Sequence, residues 1–146
     1  MSEENKAILR RVNDEVFSQG NLDLVDELFA LDYVLHDPGL PGGELRGTED
    51  FKQRWVSMFR TAYPDLQLSV EDQIAEGDKV VTRYTGRGTH QGELMGIPPT
   101  GNEVSVDGVI ISRVSGGRVE EEWNSFDALG MMQQLGVIPP PGQGGS

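Results

Sequence analysis

No cysteine occurs among the 146 residues, which removes disulfides, thiolate nucleophiles and thiolate metal sites together. Histidine is almost as scarce. His36 and His90 are the only two, too few for an all-histidine zinc site. Positive charge is also short: 12 Lys and Arg face 24 Asp and Glu, a net charge of −12 and a sequence pI near 4.4. A chain this acidic is repelled by phosphate backbones and by anionic lipid surfaces. Nucleic acid and membrane are therefore not expected as partners, whereas small neutral or cationic molecules and proteins remain open. No apolar run approaches the ~18 residues of a membrane span. The opening Met1-Ser2-Glu3-Glu4-Asn5 lacks the basic start and apolar run of a secretory signal, so the cytoplasm is the expected compartment. Nucleotide motifs are missing too: no GxGxxG follows a strand pattern and no GxxxxGK[ST] loop is present, although glycines number 19. Nor is there a GxSxG nucleophile elbow.

What is present suits one soluble domain, with 36% hydrophobic and 25% charged residues. Ile8, Leu9, Val12, Val16 and Phe17 form an apolar stripe at helical spacing, with Ser2 as a possible cap and Gly20 as a stop. Asn21 is placed to cap a shorter helix carrying Leu24, Val25, Leu28 and Phe29. A brief strand, Tyr33 to His36, is closed by Asp37-Pro38-Gly39, and a loop is expected as far as Gly47. Thr48 opens a third helix with Phe51, Trp55, Met58, Phe59 and Ala62 on one side, ended by Pro64. Beyond it the period changes to two. Leu66, Leu68 and Val70 alternate with polar residues, Glu76-Gly77-Asp78 turns, and strands are expected over 79–89, 103–114 and 118–126. Asp127 then caps a last short helix that stops at Gly136. Helices followed by a meander of long strands predict an α+β fold, not a βαβ alternation. The domain is read as residues 1–138, with a Pro/Gly-rich tail over 139–146.

With nucleophiles scarce, acid–base chemistry by histidine and carboxylates is what remains. His36 ends an apolar strand, either bonding loop backbone or pointing into a cavity as a proton carrier. His90, in Gly88-Thr89-His90-Gln91-Gly92, sits where a strand opens into a loop. Asp107 interrupts an otherwise apolar strand and either pairs with Arg83 or Arg87 or lies in a pocket. On the last strand Val119, Glu121, Trp123 and Ser125 share one face, and Glu120, Glu122, Asn124 and Phe126 the other. This acidic run is a solvated face unless Glu122 and Asn124 look into the concave side of the sheet.

The ordered set of segments resembles the SnoaL-like polyketide cyclases, or ester cyclases. It comprises Tyr33-Val34-Leu35-His36-Asp37-Pro38-Gly39, Ala62-Tyr63-Pro64-Asp65-Leu66, Ala75-Glu76-Gly77-Asp78-Lys79-Val80, Gly88-Thr89-His90-Gln91-Gly92 and Gly96-Ile97-Pro98-Pro99-Thr100-Gly101. It ends with residues 118–127 and Gln133-Gln134-Leu135-Gly136. The resemblance implies the cone-shaped fold of nuclear transport factor two, in which a curved antiparallel sheet wraps around the N-terminal helices and encloses a pocket. It also implies a homodimer through the sheet; because helices can cover only one face of long alternating strands, the second face is expected to present some of Val81, Thr85, Val106, Ile110 and Trp123 to that interface. The characterised cyclases close rings by aldol chemistry without a cofactor. They resemble one another in a histidine and an aspartate two residues apart on the last strand, positions held here by Glu122 and Asn124. Asparagine cannot take a proton, so that aspartate's role does not transfer to Asn124.

The resulting expectation is a pocket enzyme that cyclises, isomerises or hydrates a mostly apolar carbonyl substrate, using neither cofactor nor metal. The alternative is a noncatalytic ligand-binding or dimeric scaffold protein of the same fold. Glu122, His36, Asp107 and Asn124 are the candidate catalytic residues. Trp55, Phe59, Tyr63, Arg83, His90 and Ile97 are the candidate substrate contacts.

Overall fold

A computed structural model describes residues 2–138. The tail read over 139–146 lies outside the described residues.

The first helix, α1 (Ser2–Arg11), continues without a break into a π-helical stretch, Val12–Ser18. Gly20, at φ +75°, lets the chain turn, and α2 (Asp23–Leu28) follows. Asn21 does not cap it: Leu22 holds the cap position without a side-chain hydrogen bond. The third helical rod comprises α3 (Thr48–Asp50), a π-helical stretch, Phe51–Val56, and α4 (Ser57–Ala62). The two wider π-helical stretches both face the interior, supplying Val12, Asn13 and Phe17 from one and Phe51 and Trp55 from the other. Such bulges in helices recur where a ligand must be accommodated.

Six strands form one sheet: β1 (Phe29–His36), β2 (Glu44–Arg46), β3 (Gln67–Glu76), β4 (Lys79–Thr89), β5 (Glu103–Ser115) and β6 (Arg118–Phe126). Their order is β2-β1-β6-β5-β4-β3. All neighbours are antiparallel except β1 and β6, which run parallel. The expected loop up to Gly47 thus contains a strand, β2, whose three residues are too few to carry a period. The strand expected from Tyr33 begins earlier, at Phe29. The period-two strands fall where alternation placed them. Asp127 accepts from the Gly130 N–H and caps α5 (Ala128–Leu135), and Gly136 ends it in the left-handed conformation at φ +82°.

The sheet curves and stays open, with the helices laid along its concave side, so the α+β cone expected from the resemblance is the architecture found. Phe29, Tyr33 and Phe51 pack edge to face or tilted with centroids 4.8–4.9 Å apart. This cluster pins β1 to the third rod and fixes the Tyr33 ring, since aromatic pairs prefer such offset geometries. Gly108 on β5 serves a similar end by having no side chain. A Cβ there would come within 2.5 Å of the Tyr84 hydroxyl oxygen, so the phenol of Tyr84 can lie across the strand.

Candidate functional site

Parity along the strands decides which side chains enter the cone. On β6 a register shift opposite Arg113 and Val114 admits Val119 and then Glu122, Asn124 and Phe126 to the inner side. Glu121 and Trp123 face outward. In the parallel pair Leu35 is level with Glu122 and His36 with Trp123. Tyr33, Leu35 and Asp37 therefore share the inner side with Glu122 and Asn124.

The cone holds a partly open cavity of about 100 Å³. Its wall is chiefly apolar, with Trp55, Phe59, Leu68, Val106, Ile110 and Phe126 prominent. Trp55 and Phe59 meet edge to face at 5.0 Å. Among the described residues Glu122 is the only carboxylate in this lining. It is 3% exposed, and burial pushes its carboxyl up from 4.5 to about 7. Two hydrogen bonds oppose that rise. Ser112 donates its hydroxyl to Glu122 Oε2, and Tyr33 donates to Oε1 at 2.6 Å. Burial and the adjacent Glu122 charge hold the Tyr33 phenol well above its ordinary range, so Tyr33 stays a donor.

Asn124 belongs to a second chain of bonds. Tyr84 donates to Asn124 Oδ1 at 2.6 Å, and Asn124 Nδ2 donates to Asp37 Oδ2 at 2.9 Å. Asp37 is itself held by the Gly39 N–H at 2.8 Å. With its oxygen occupied by a donor, the Asn124 amide presents nitrogen toward Asp37 and keeps one N–H for a ligand. A carboxyl near neutrality beside an oriented amide donor can move a proton and hold a developing oxyanion. Among the described residues no three His, Cys, Asp or Glu side chains gather as metal ligands.

Several expected site residues lie elsewhere. His36 points out of the cone, bonded through Nε2 to Glu121 Oε2 at 2.6 Å and stacked on Trp123. One residue of parity separates it from the inner positions. Asp107 is exposed on the convex face, where it accepts from Thr85 Oγ1 at 2.9 Å. Arg83 is exposed on the same face, so neither the Asp107–Arg83 pairing nor a pocket role is realised, and Arg87 is the basic residue bordering the cavity. Ile97 closes a bridge with Leu94 in the β4–β5 loop and is absent from the lining. Tyr63 does line the cavity, and His90 lies fully buried against it, with ring centroids 5.7 Å apart. Sequence reading missed Tyr33, Asp37, Tyr84 and Ser112. The one signal for the first two was the alternation Tyr33-Leu35-Asp37 itself.

Tyr33→Phe or Ser112→Ala removes a donor that lowers the Glu122 pKa. Either substitution should move the Glu122 titration to higher pH, which carboxyl carbon NMR would read. A titration unchanged in both variants would show that the two hydroxyls do not tune this carboxyl.

Comparison with known proteins identifies the family and agrees with the fold. The sequence matches the family described as SnoaL-like polyketide cyclase over residues 7–135. It is 30% identical over 133 residues to the aklanonic acid methyl ester cyclase DnrD of Streptomyces peucetius, covering 89% of this chain and 90% of that one. Identity to the nogalonic acid methyl ester cyclase of Streptomyces nogalater is 31% over 129 residues, covering 88% and 95%. Among solved structures, one from Acidithiobacillus ferrooxidans superposes with a TM-score of 0.83 at 34% identity, covering 92% of this chain and 95% of that one. TsrD from Streptomyces laurentii gives 0.80 at 26%, covering 93% and 97%. Matched along nearly its whole described length, in sequence and in the cone that holds Glu122, the chain belongs to the SnoaL-like polyketide cyclase family.

Proposed function

We propose that the protein is a cofactor-independent cyclase that closes a ring within an apolar, carbonyl-bearing substrate by aldol chemistry. One observation carries this reading: the wall of an apolar cavity holds a single buried carboxyl whose pKa, about 7, suits it to both halves of a proton transfer. Glu122 takes the proton from the carbon beside a carbonyl, and the electron pair passes to that carbonyl oxygen as an enolate. The free N–H of Asn124 supports the oxygen. The enolate carbon then attacks a second carbonyl carbon of the same molecule, and the alkoxide formed takes the proton back from Glu122. Nothing is gained or lost, so the product is an isomer of the substrate. The apolar wall holds the chain folded so that the reacting carbons meet.

The relatives' names suggest the first substrate to try, aklanonic acid methyl ester. Incubation with aklanonic acid methyl ester should yield a product of unchanged mass and altered retention on chromatography. An unaltered ester after prolonged incubation would overturn the reading. Asn124 favours a second one, binding without turnover, since the aspartate that the resemblance implies for the cyclases is here a residue that cannot take up a proton. Saturable binding of the ester without isomerisation would establish that alternative.

The convex side of the sheet supports a proposal about assembly. Val81, Val109, Ile111 and Trp123 share this face, and Trp123 is 37% exposed. Val106 and Ile110, expected there, instead turn inward and line the cavity, one residue out of phase with Val109 and Ile111. A two-fold pairing of these faces would cover the apolar side chains. Light scattering should give twice the 16.0 kDa chain mass, and a monomer at micromolar concentration would refute it. The cytoplasm remains the compartment proposed, and no described helix is long and apolar enough to cross a membrane.

A further inference from the structure

The cavity has two polar ends, and the mechanism above uses only one. Glu122 is level with Ser112 on β5. Tyr63 packs on Gly88, where an added Cβ would come within 2.8 Å of the Tyr63 Cβ, and Gly88 is level with Val104. From Val104 to Ser112 is eight residues, up to roughly 26 Å of extended strand. At this remote end two buried polar atoms have no hydrogen-bond partner among the described residues, Tyr63 Oη and His90 Nε2.

The imidazole is held firmly. His90 N–H donates to the Asn102 carbonyl at 2.9 Å, and the Gly101 N–H donates to the His90 carbonyl at 2.8 Å. The Thr100 N–H donates to His90 Nδ1 at 3.2 Å, which makes Nδ1 the acceptor and leaves the hydrogen on Nε2. Burial pushes the Tyr63 phenol up to about 12, so it too keeps its proton. Two hydrogen-bond donors therefore stand unanswered on adjoining rings, one of which lines the cavity. Buried groups left unpaired weaken a fold, so each calls for a partner, a water in the free protein or a ligand atom that displaces it.

We propose that Tyr63, with His90 beside it, forms a second subsite that receives an acceptor oxygen at the end of the substrate remote from the reacting carbons. The ligand class follows from the pair: the His90 Nε2–H can only donate and the Tyr63 hydroxyl can donate as well as accept, so a ketone, ester or carboxylate oxygen is the group that answers both. The subsite deepens the cyclase reading and rests on the cavity being where substrate binds. It makes the protein selective for molecules that carry oxygens at both ends of an apolar body. Tyr63 touches the substrate, and His90 acts as a positioning residue and second donor.

The test uses dimethyl naphthalene-2,6-dicarboxylate as the probe, with 2,6-dimethylnaphthalene as its oxygen-free control. Binding is followed by quenching of Trp55, which lines the cavity, in a Trp123→Phe background. Tyr63→Phe should weaken the diester by roughly 3- to 10-fold and leave the hydrocarbon unchanged. His90→Asn keeps an acceptor for the Thr100 N–H while deleting the Nε2 hydrogen, and should weaken the diester in the same sense. A merely structural tyrosine would give a less stable protein on losing its hydroxyl. Here the free Tyr63→Phe protein should melt at the same or a higher temperature, because an unanswered polar atom has been removed. Equal diester affinity in wild type and Tyr63→Phe would overturn the subsite, as would a diester bound no more tightly than the hydrocarbon by wild type. Failure to isomerise aklanonic acid methyl ester, with the diester preference intact, would sink the cyclase reading alone.

Discussion

Glu122→Gln is expected to lower turnover by about 10²–10⁴-fold, the range that a positioned general base contributes. The two side chains are nearly isosteric, and the hydroxyls of Tyr33 and Ser112 can rotate to bond an amide as well as a carboxylate. Loss of activity should therefore come without loss of fold. In the wild type the base must be ionised, so kcat/KM should rise with pH and level off above about 7, the value burial gives this carboxyl. Stability should run the other way. A folded pKa above the unfolded one means the folded state holds the proton longer, so the benefit is complete below about 4.5 and is gone once pH has risen through about 7. The rise from 4.5 to about 7 corresponds to a cost of about 3 kcal/mol at alkaline pH. The variant lacks this titration and should out-melt the wild type at pH 8, the difference shrinking toward pH 5. Full activity in the variant, or a melting difference independent of pH, would remove Glu122 from the mechanism.

Asn124→Asp should produce the largest pH-dependent loss of stability. The new carboxylate would face Asp37 across the 2.9 Å now spanned by an N–H···O bond, with no hydrogen between them unless one acid keeps its proton. Two carboxylates sharing a buried site have one pKa strongly raised. A raised folded pKa contributes stability that is present in acid and lost as pH climbs, so at pH 8 the variant should be about 2–4 kcal/mol less stable than wild type. Near pH 4 the two should converge. Urea unfolding at both pH values measures this, and equal stability at pH 8 would show that Asp37 and residue 124 do not share a desolvated site. For the cyclase activity proposed, the added acid should give the pH–rate profile a further limb, belonging to the coupled group rather than to either residue alone.

Both residues were visible in the sequence as a pair because strand period two is a local property. Residues 122 and 124 must share a face whatever the sheet does. The same locality explains why β4 and β6 were readable to their ends: Gly77 and Gly116-Gly117 turn the chain with positive φ, and alternation fills the space between. Their partners were not visible. Asp37 reaches Asn124, and Tyr33 reaches Glu122, only because β1 lies parallel to β6, and no feature of either strand announces that pairing. His36 went astray by a single position, drawn by residue type toward a cavity that its neighbours Leu35 and Asp37 face. Asp107 was suspect for breaking an apolar run, yet the run contains both faces of β5, and the carboxylate sits on the wetter one. Tyr84 was hidden for a different reason: its reach depends on the missing side chain of Gly108.

The bond between Tyr33 and Glu122 joins positions 89 residues apart in the chain. The strands β3 to β6 pair through connections no longer than the loop from Thr89 to Glu103, whereas docking β1 against β6 closes the far longer loop from His36 to Arg118. Until that loop closes, Glu122 sits on an exposed sheet face in water, ionised like any surface glutamate and without its phenol. The proton affinity on which the proposed catalysis rests is thus created by the contact that closes the longest loop between paired strands. A partly folded molecule holds every residue of the site and none of its chemistry.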